Sequence, residues 1–249
     1  MRFNAHQQEQ GSAVAVILSG CGFLDGSEIH ESVAVLMHLA RHGVPWHCFA
    51  PNIEQANVVD HLTGQVEERR QRNVLHESAR IARGKGNISP LSSLDVNQFN
   101  ALILPGGFGA AKNLCTFAVD GEHCTVLPDV ERILKMFYAV EKPIGLCCIA
   151  PVIAARVFGT SLGGPGLTVT VGEDSDAAAA VRNMGNAHFP TRVTGICVDT
   201  AHGIVTTPAY MFDATPHEVY LGVGAMVDEV LRLANTAAAR KAPHAAASH

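Results

Sequence analysis

Short apolar runs recur along the chain, each closed by a turn and followed by a helical pattern. The first run, residues 13–18, contains no polar side chain, which is typical of a strand buried on both faces of a parallel sheet. Residues 45–50, 101–104 and 167–171 are predicted as further strands. Strands that alternate with helices predict an α/β fold, a doubly wound parallel sheet flanked by helices, whose sites lie at the carboxyl ends of the strands.

Helical patterns and two hairpins complete the predicted order of elements. Helices are predicted at residues 28–42, 73–83, 110–117, 127–140, after Cys148, at 176–184 and at 215–234. A small hairpin insert is predicted around Leu62-Thr63-Gly64, and a second hairpin at residues 196–206. Ser27 or Asp25 is expected to cap the first helix. The pattern predicts one domain over residues 13–235, between a disordered leader at 1–12 and a disordered tail at 236–249.

Charge and cysteine usage disfavour several classes of protein. The formal net charge is −5 and no basic run occurs, so partners such as nucleic acid or a membrane surface are not expected. No apolar stretch approaches the roughly 18 residues of a membrane span, and the polar N-terminus does not resemble a secretory signal. Seven cysteines without framework spacing indicate free thiols in a reducing compartment.

The strongest clue to chemistry is a pair of cysteines at a predicted strand-to-helix turn. Cys148 lies at the N-terminus of the following helix, where unpaired N–H groups and the helix dipole favour the thiolate. A thiolate is a nucleophile. Cys147, one residue earlier on the strand, is expected to point to the opposite face and to belong to the core. Such a pair cannot chelate one metal ion, and no metal or other cofactor is expected.

Two further loops end at the same predicted edge of the sheet. Gly106 and Gly107 lack a Cβ, so their N–H groups can approach and stabilise an oxyanion. Glu28 and Glu31 lie in the first turns of the first helix, where a carboxyl group can hydrogen-bond a thiolate or move a proton. Cys21 lies on a neighbouring loop and is a candidate redox neighbour of Cys148.

Each of these residues also has a structural alternative. A strand-end Gly-Gly turn is common in any fold, and Glu31 is also suited to complement the helix N-terminus. Cys148 has the alternative role of a small buried hydrophobe. The remaining cysteines, which are Cys48, Cys115, Cys124 and Cys197, are expected to be packing residues.

Five motifs closely resemble those of the ElbB-like proteins, over about residues 13 to 234 and in the same order. They are VILSGCG (16–22), DGSEIHE (25–31), LPGGFGAAKNL (104–114), CIAP (148–151) and VTTPAYM (205–211). The ElbB-like group contains bacterial proteins named for isoprenoid biosynthesis and mitochondrial eukaryotic relatives. It belongs to the class I glutamine amidotransferase-like superfamily, together with PfpI-type proteases and the Parkinsonism-associated deglycases.

The resemblance implies a flavodoxin-like fold, a homodimer and a cytoplasmic or mitochondrial location. It implies that Cys148 is the nucleophile, Glu31 the adjacent carboxyl group and Gly106-Gly107 the anion-binding turn, with Ile149 and Asn113 as further substrate-binding candidates. Members have been assigned a cofactor-free glyoxalase activity, which turns small aldehydes such as glyoxal or methylglyoxal into 2-hydroxy acids. One alternative is a redox-responsive regulatory or binding protein with an oxidisable Cys148, and another is a partner-binding protein of isoprenoid or mitochondrial metabolism.

The chain departs from the wider superfamily at the expected position of a histidine base. Ile149 follows the nucleophile where PfpI-type proteases carry histidine, and residues 170–173 contain none. The pair His217-Glu218 is not expected to reach Cys148, which argues against amidotransferase activity. His30 and His188 are alternative bases, although both are expected to be structural.

Overall fold

The computed structural model describes residues 13–84, 86–173 and 175–241, and the predicted leader at 1–12 lies outside them. The strands are β1 (Ala13–Ile17), β2 (Trp46–Ala50), β3 (Ile88–Pro90), β4 (Phe99–Leu104), β5 (Ile144–Cys147), β6 (Thr168–Val169), β7 (Ala187–His188), β8 (Cys197–Asp199) and β9 (Ile204–Thr207). The helices are α1 (Ile29–Arg41), α2 (Val74–Ile81), α3 (Phe108–Lys112), α4 (Phe117–Asp120), α5 (Pro128–Ala139), α6 (Pro151–Phe158), α7 (Asp176–Asn183) and α8 (Pro216–Lys241).

The central sheet has the strand order β3-β2-β1-β4-β5-β9-β8. Its neighbours pair in parallel from β3 to β9, while β8 runs antiparallel to β9 at one edge. The short strands β6 and β7 form a separate parallel pair. The predicted doubly wound α/β sheet and the hairpin at residues 196–206 are therefore confirmed.

Helices cover both faces of this sheet, which explains the apolar runs in its strands. One core lies between the sheet and the helices α1 and α8, and the other between the sheet and the helices α5 and α6. Strand β1 pairs with neighbours on both sides, and Val14 to Ile17 are essentially unexposed. Burial of a side chain such as Leu104 stabilises the fold by about 1.5–3 kcal/mol relative to exposure.

The cap of α1 differs from the prediction. Glu28, rather than Ser27 or Asp25, occupies the N-cap position, and its Oε2 accepts a 2.6 Å hydrogen bond from the N–H of Glu31. The Ser27 hydroxyl instead accepts a hydrogen bond from the N–H of Ser19 at 2.8 Å. Ser27 therefore joins two loops at the sheet edge, which leaves Glu28 as the cap.

Other elements differ from the prediction in their extent. The helix predicted at 110–117 is divided into α3 and α4 by Asn113 to Thr116, and the strand at 167–171 is shortened to β6, outside the central sheet. The 62–64 insert is a turn closed by one isolated bridge, Val59 with Val66. Helix α8 continues into the predicted tail as far as Lys241, and residues 242–249 lie outside the described part. In the parts of the chain that are described, no helix has the length and apolarity needed to cross a membrane.

Candidate active site

Cys148 lies on a strained turn between β5 and α6. Its φ is 59°, in the left-handed region that residues other than glycine rarely adopt. The N–H of Cys148 donates to the carbonyl of Thr207 on β9 at 3.0 Å, and the N–H of Ala150 donates to the carbonyl of Cys147 at 3.0 Å. Such strain, on the order of 1–3 kcal/mol, persists only where the surroundings fix the backbone. The two hydrogen bonds therefore hold a strand-to-helix elbow like the nucleophile elbow of α/β-hydrolases.

The absence of a side chain at Gly106 allows the loop after β4 to approach this elbow. A Cβ at Gly106 would overlap the Cβ of Cys148 and lie 2.9 Å from both the Cys147 carbonyl and Oε2 of Glu31. The N–H of Gly106 donates to Oε2 of Glu31 at 2.9 Å, and its carbonyl accepts from the N–H of Glu28 at 3.0 Å. Gly106 thus joins the nucleophile elbow to the first turn of α1.

The carboxyl group of Glu31 lies inside this assembly with no exposed surface. Its Oε2 accepts from Gly106, and its Oε1 accepts a 3.3 Å hydrogen bond from the N–H of Tyr210. The thiol of Cys147 donates to Oε2 at 3.6 Å, and interaction with Cys148 lowers the pKa of the carboxyl group. Main-chain N–H groups therefore fix both carboxyl oxygens.

Burial makes Glu31 and Cys148 compete for a proton. Burial and then the charge of Glu28 raise the pKa of Glu31 to about 7, against the hydrogen bonds from the main chain. Burial and the charge of Glu31 raise the pKa of the Cys148 thiol well above its usual value. The main-chain N–H groups around Cys148 favour the thiolate, as the sequence suggests, but burial and the charge of Glu31 outweigh them. Because two adjacent buried anions repel each other, the pair holds two protons below about pH 7 and one above it.

Two main-chain N–H groups influence the sulfur. The N–H groups of Gly107 and Ile149 lower the pKa of Cys148 and so favour its thiolate form, although burial outweighs them. Gly107 has a φ of 90°, and a Cβ there would overlap main-chain atoms of Gly26 and Glu28. The two glycines of the predicted turn therefore act on different groups. The N–H of Gly106 donates to Glu31, whereas the N–H of Gly107 favours the thiolate form of Cys148.

Comparison with known proteins decides the family. No family model matches the chain. The mitochondrial ES1 protein homolog of Rattus norvegicus is 50% identical over 229 residues, which cover 88% of this chain and 83% of the relative. The human mitochondrial glutamine amidotransferase-like class 1 domain-containing protein 3 is 49% identical. The match covers 88% of this chain and 82% of the human protein. The chain belongs to the ES1 and ElbB-like family.

Solved structures agree with this membership. An isoprenoid biosynthesis protein with an amidotransferase-like domain from Ehrlichia chaffeensis is 36% identical, with a TM-score of 0.81 over 89% of this chain and 98% of that one. A ThiJ/PfpI domain protein from Brachyspira murdochii is 16% identical with a TM-score of 0.54, over 91% and 98% of the two chains. The second likeness shows the shared flavodoxin-like fold alone. Both curated relatives are named as mitochondrial proteins, which agrees with the predicted cytoplasmic or mitochondrial location.

The position of Cys147 in this ElbB-like chain corrects the sequence-based interpretation. Cys147 is buried as predicted, but it lies on the side of Glu31 rather than on the opposite face. Strand alternation does not extend to Cys148, because that residue follows the end of β5 and adopts a left-handed conformation. Two thiols therefore contact one carboxyl group.

Asn113, a predicted substrate-binding candidate, holds loops together. Its Nδ2 donates to the carbonyls of Ser19 at 2.8 Å and Asp25 at 2.9 Å, and its Oδ1 accepts from the N–H of Ala56 at 2.8 Å. Because both ends of the amide are used by main chain, Asn113 is a positioning residue of this ElbB-like fold. Polar side chains at the end of a strand fill either role, and sequence alone does not separate them.

Cys21 lines a separate apolar cavity of about 600 Å³, between α1 and α2, with Val33, Met37 and Ile81. These α1 residues are on the side of the helix opposite Glu31. Burial raises the pKa of the Cys21 thiol, and the charge of Glu77 raises it further. All seven cysteines lie in the described residues and are free thiols, so the structure gives Cys21 no bond to Cys148.

The candidate histidines have different surroundings. Nδ1 of His30 lies 2.7 Å from the Tyr210 hydroxyl and 3.9 Å from Oε1 of Glu28, in a position open to solvent beside the site. His188 accepts a hydrogen bond from the N–H of Val171 at 3.3 Å, in the small β6–β7 sheet. Of the two, the structure brings His30 to the rim of the site.

Two residues of the site, Ala209 and Tyr210, had no role predicted from the sequence. Tyr210 follows Ala209, whose φ of 45° turns the chain so that the Tyr210 N–H faces Glu31. Both residues lie in the VTTPAYM motif and follow a buried strand, and that position is the signal from which a role in the site could have been predicted.

Glu218, by contrast, accepts two hydrogen bonds from Thr215 and caps the start of α8, as expected of a residue outside the site.

Proposed function

We propose that the chain is a cofactor-free glyoxalase that converts small 2-oxoaldehydes, such as glyoxal and methylglyoxal, into 2-hydroxy acids. The observation that carries this proposal is the buried Cys148–Glu31 pair, in which Glu31 has a pKa of about 7. A carboxyl group with this pKa can both accept and donate a proton at neutral pH, which this isomerisation requires.

The mechanism uses the groups present at the site. Cys148 passes its proton to Glu31, and the sulfur adds to the aldehyde carbon to form a hemithioacetal, whose oxygen receives that proton. The N–H groups of Gly107 and Ile149 stabilise the charged oxygen. Glu31 then moves the proton from the former aldehyde carbon to the neighbouring carbon, while the hydroxyl proton passes to the neighbouring carbonyl oxygen, which gives the thioester of a 2-hydroxy acid. Water hydrolyses the thioester, releasing the 2-hydroxy acid and restoring the Cys148 thiol.

The test is turnover of glyoxal to glycolate, followed by NMR. Cys148→Ala is expected to abolish turnover, because no hemithioacetal forms. Glu31→Gln is expected to reduce turnover by at least about a hundredfold. Cys197→Ser is the matched control, since Cys197 is a buried thiol whose Sγ contacts the Thr168 carbonyl instead. The proposal fails if the folded Cys148→Ala protein keeps the wild-type rate.

A second candidate is a redox-responsive regulatory or binding protein. Cys148 is only 7% exposed, which limits access to small molecules such as peroxide. A protonated Glu31 would also hydrogen-bond an oxidised sulfur. Mild peroxide would then add about 32 Da to Cys148, as a sulfinate, in a protein without aldehyde turnover. Aldehyde turnover by the reduced protein favours the glyoxalase instead.

The relatives and the surface of α1 support two further parts of the proposal. The mitochondrial names of the relatives favour that compartment for this chain. Ile29, Val33 and Met37 form an exposed apolar stripe on α1, each between 38% and 53% exposed. Because such stripes are usually covered by a partner, we propose that a second copy of the chain docks here and forms the expected homodimer.

A further inference from the structure

Cys115 and Cys124 lie at the two ends of a loop that the backbone closes. Cys115 forms an antiparallel bridge with Val126. On either side of this bridge, the N–H of Leu127 donates to the carbonyl of Leu114 at 2.9 Å, and the N–H of Thr116 donates to the carbonyl of Thr125 at 3.0 Å. Cys124 precedes Val126 by two residues, so along an extended segment both side chains emerge on one face, the face of Cys115.

The two thiols lie close together inside this loop. Each is the largest influence on the pKa of the other, and the Cys115 thiol donates a hydrogen bond to the Ala110 carbonyl at 3.3 Å. Cys115 is 3% exposed and Cys124 is buried, but His123 and Thr125 on either side of Cys124 are exposed. The pair therefore lies directly beneath the surface, with eight residues between its members in the chain.

The charges around the pair make the two thiols unequal. Interaction with the Cys115 thiol, and then the guanidinium of Arg156, lower the pKa of Cys124, although burial and the carboxylate of Asp120 oppose them. Arg156 is held nearby because its Nη1 donates to the Glu122 carbonyl at 3.1 Å. Interaction with the Cys124 thiol, and then burial, raise the pKa of Cys115. Cys124 is thus the thiol that ionises first.

We propose that Cys115 and Cys124 form a redox-active dithiol, a modification site distinct from Cys148, which a small peroxide converts reversibly into an intramolecular disulfide. The Cys124 thiolate attacks hydrogen peroxide and becomes a sulfenic acid, with hydroxide leaving. The Cys115 sulfur then attacks the Cys124 sulfur, the S–S bond forms, and water leaves. In total, the two thiols lose two electrons and two protons, and one peroxide is reduced to two waters.

The chain permits a direct test, because trypsin releases residues 113–132 as one peptide that contains Cys115 and Cys124 and no other cysteine. The reduced native protein is treated with hydrogen peroxide, alkylated under denaturing conditions, digested and weighed. The expected result is a peptide that takes no alkyl group and is about 2 Da lighter, the mass of the two hydrogens lost. Dithiothreitol before alkylation is expected to restore two alkyl groups.

Matched variants separate the pair from other thiols. Cys115→Ser is expected to leave Cys124 without a resolving thiol, so that its peptide gains oxygen instead of losing hydrogen. Cys197→Ser is expected to leave the disulfide unchanged. Circular dichroism checks that each variant is folded. The proposal is overturned if, in the folded wild-type protein, the peptide still takes two alkyl groups after peroxide, or gains only oxygen.

Discussion

At the residue scale, the site depends on a carboxyl group that the fold keeps away from water. Glu31 has no exposed surface, and its two oxygens accept from Gly106 and Tyr210. These two N–H groups favour the carboxylate, but burial and the charge of Glu28 outweigh them. The consequence is an acid that changes its protonation state at the pH where the protein is expected to work.

The raised pKa of Glu31 predicts a pH-dependent cost in stability. Its pKa is about 7 in the folded protein and about 4.3 in an unfolded chain. The folded state binds this proton more tightly, so the free energy of unfolding falls as pH rises from about 4.3 to about 7 and stays lower above that range. The difference between the pKa values corresponds to a loss on the order of 3 kcal/mol.

Glu31→Gln removes this titration and is the reference for the measurement. Urea unfolding of both proteins at pH 5 and pH 8 is expected to show wild type losing stability relative to the variant, by about 3 kcal/mol. A difference between the two proteins that does not change with pH would mean that Glu31 titrates at its ordinary pKa.

At the element scale, the first turn of α1 connects helix capping with the proposed catalysis. Glu28 caps the helix through the N–H of Glu31, and its charge also raises the pKa of Glu31. Periodicity predicted α1, β5 and the turn at Cys148, because those segments have uninterrupted apolar patterns. It did not predict the cap or the division between α3 and α4, because both depend on loops brought together by distant contacts such as those of Asn113.

Glu28→Gln separates the two roles of this residue. The amide oxygen can still accept from the N–H of Glu31, so α1 is expected to keep its cap. Loss of the negative charge is expected to lower the pKa of Glu31. The acidic limb of the pH–rate profile for glyoxal turnover should therefore move to lower pH. An unmoved limb, in a variant that retains its helix content, would contradict the electrostatic role.

At the scale of the whole molecule, the doubly wound sheet brings three distant segments to one edge. Cys148 follows β5, Gly106 follows β4, and Glu31 lies in the first turn of the helix after β1. These three strands are neighbours in the sheet. The carboxyl-edge rule predicted this meeting from sequence. It did not predict the side on which Cys147 lies, because the left-handed turn at Cys148 depends on contacts with β9.

The exposed stripe on α1 gives a prediction for assembly. Val33→Glu places a charge in the middle of this stripe, and the expected dimer should dissociate to a monomer in light scattering. Leu62→Glu is the matched control, because Leu62 is 93% exposed on the separate turn at residues 62–64 and should leave the dimer intact. A dimer that survives Val33→Glu at micromolar concentration would place the interface elsewhere.

The central claim is that Glu31 loses its proton near neutral pH beside a thiol that keeps its own, and the carboxyl carbon of Glu31 reports this most directly. The measurement is a pH titration by NMR of protein labelled with ¹³C at the glutamate carboxyl carbons, with the Glu31 signal assigned by its loss in Glu31→Gln. The account predicts a midpoint at about 7. A midpoint near the ordinary glutamate value of about 4.3 would contradict it.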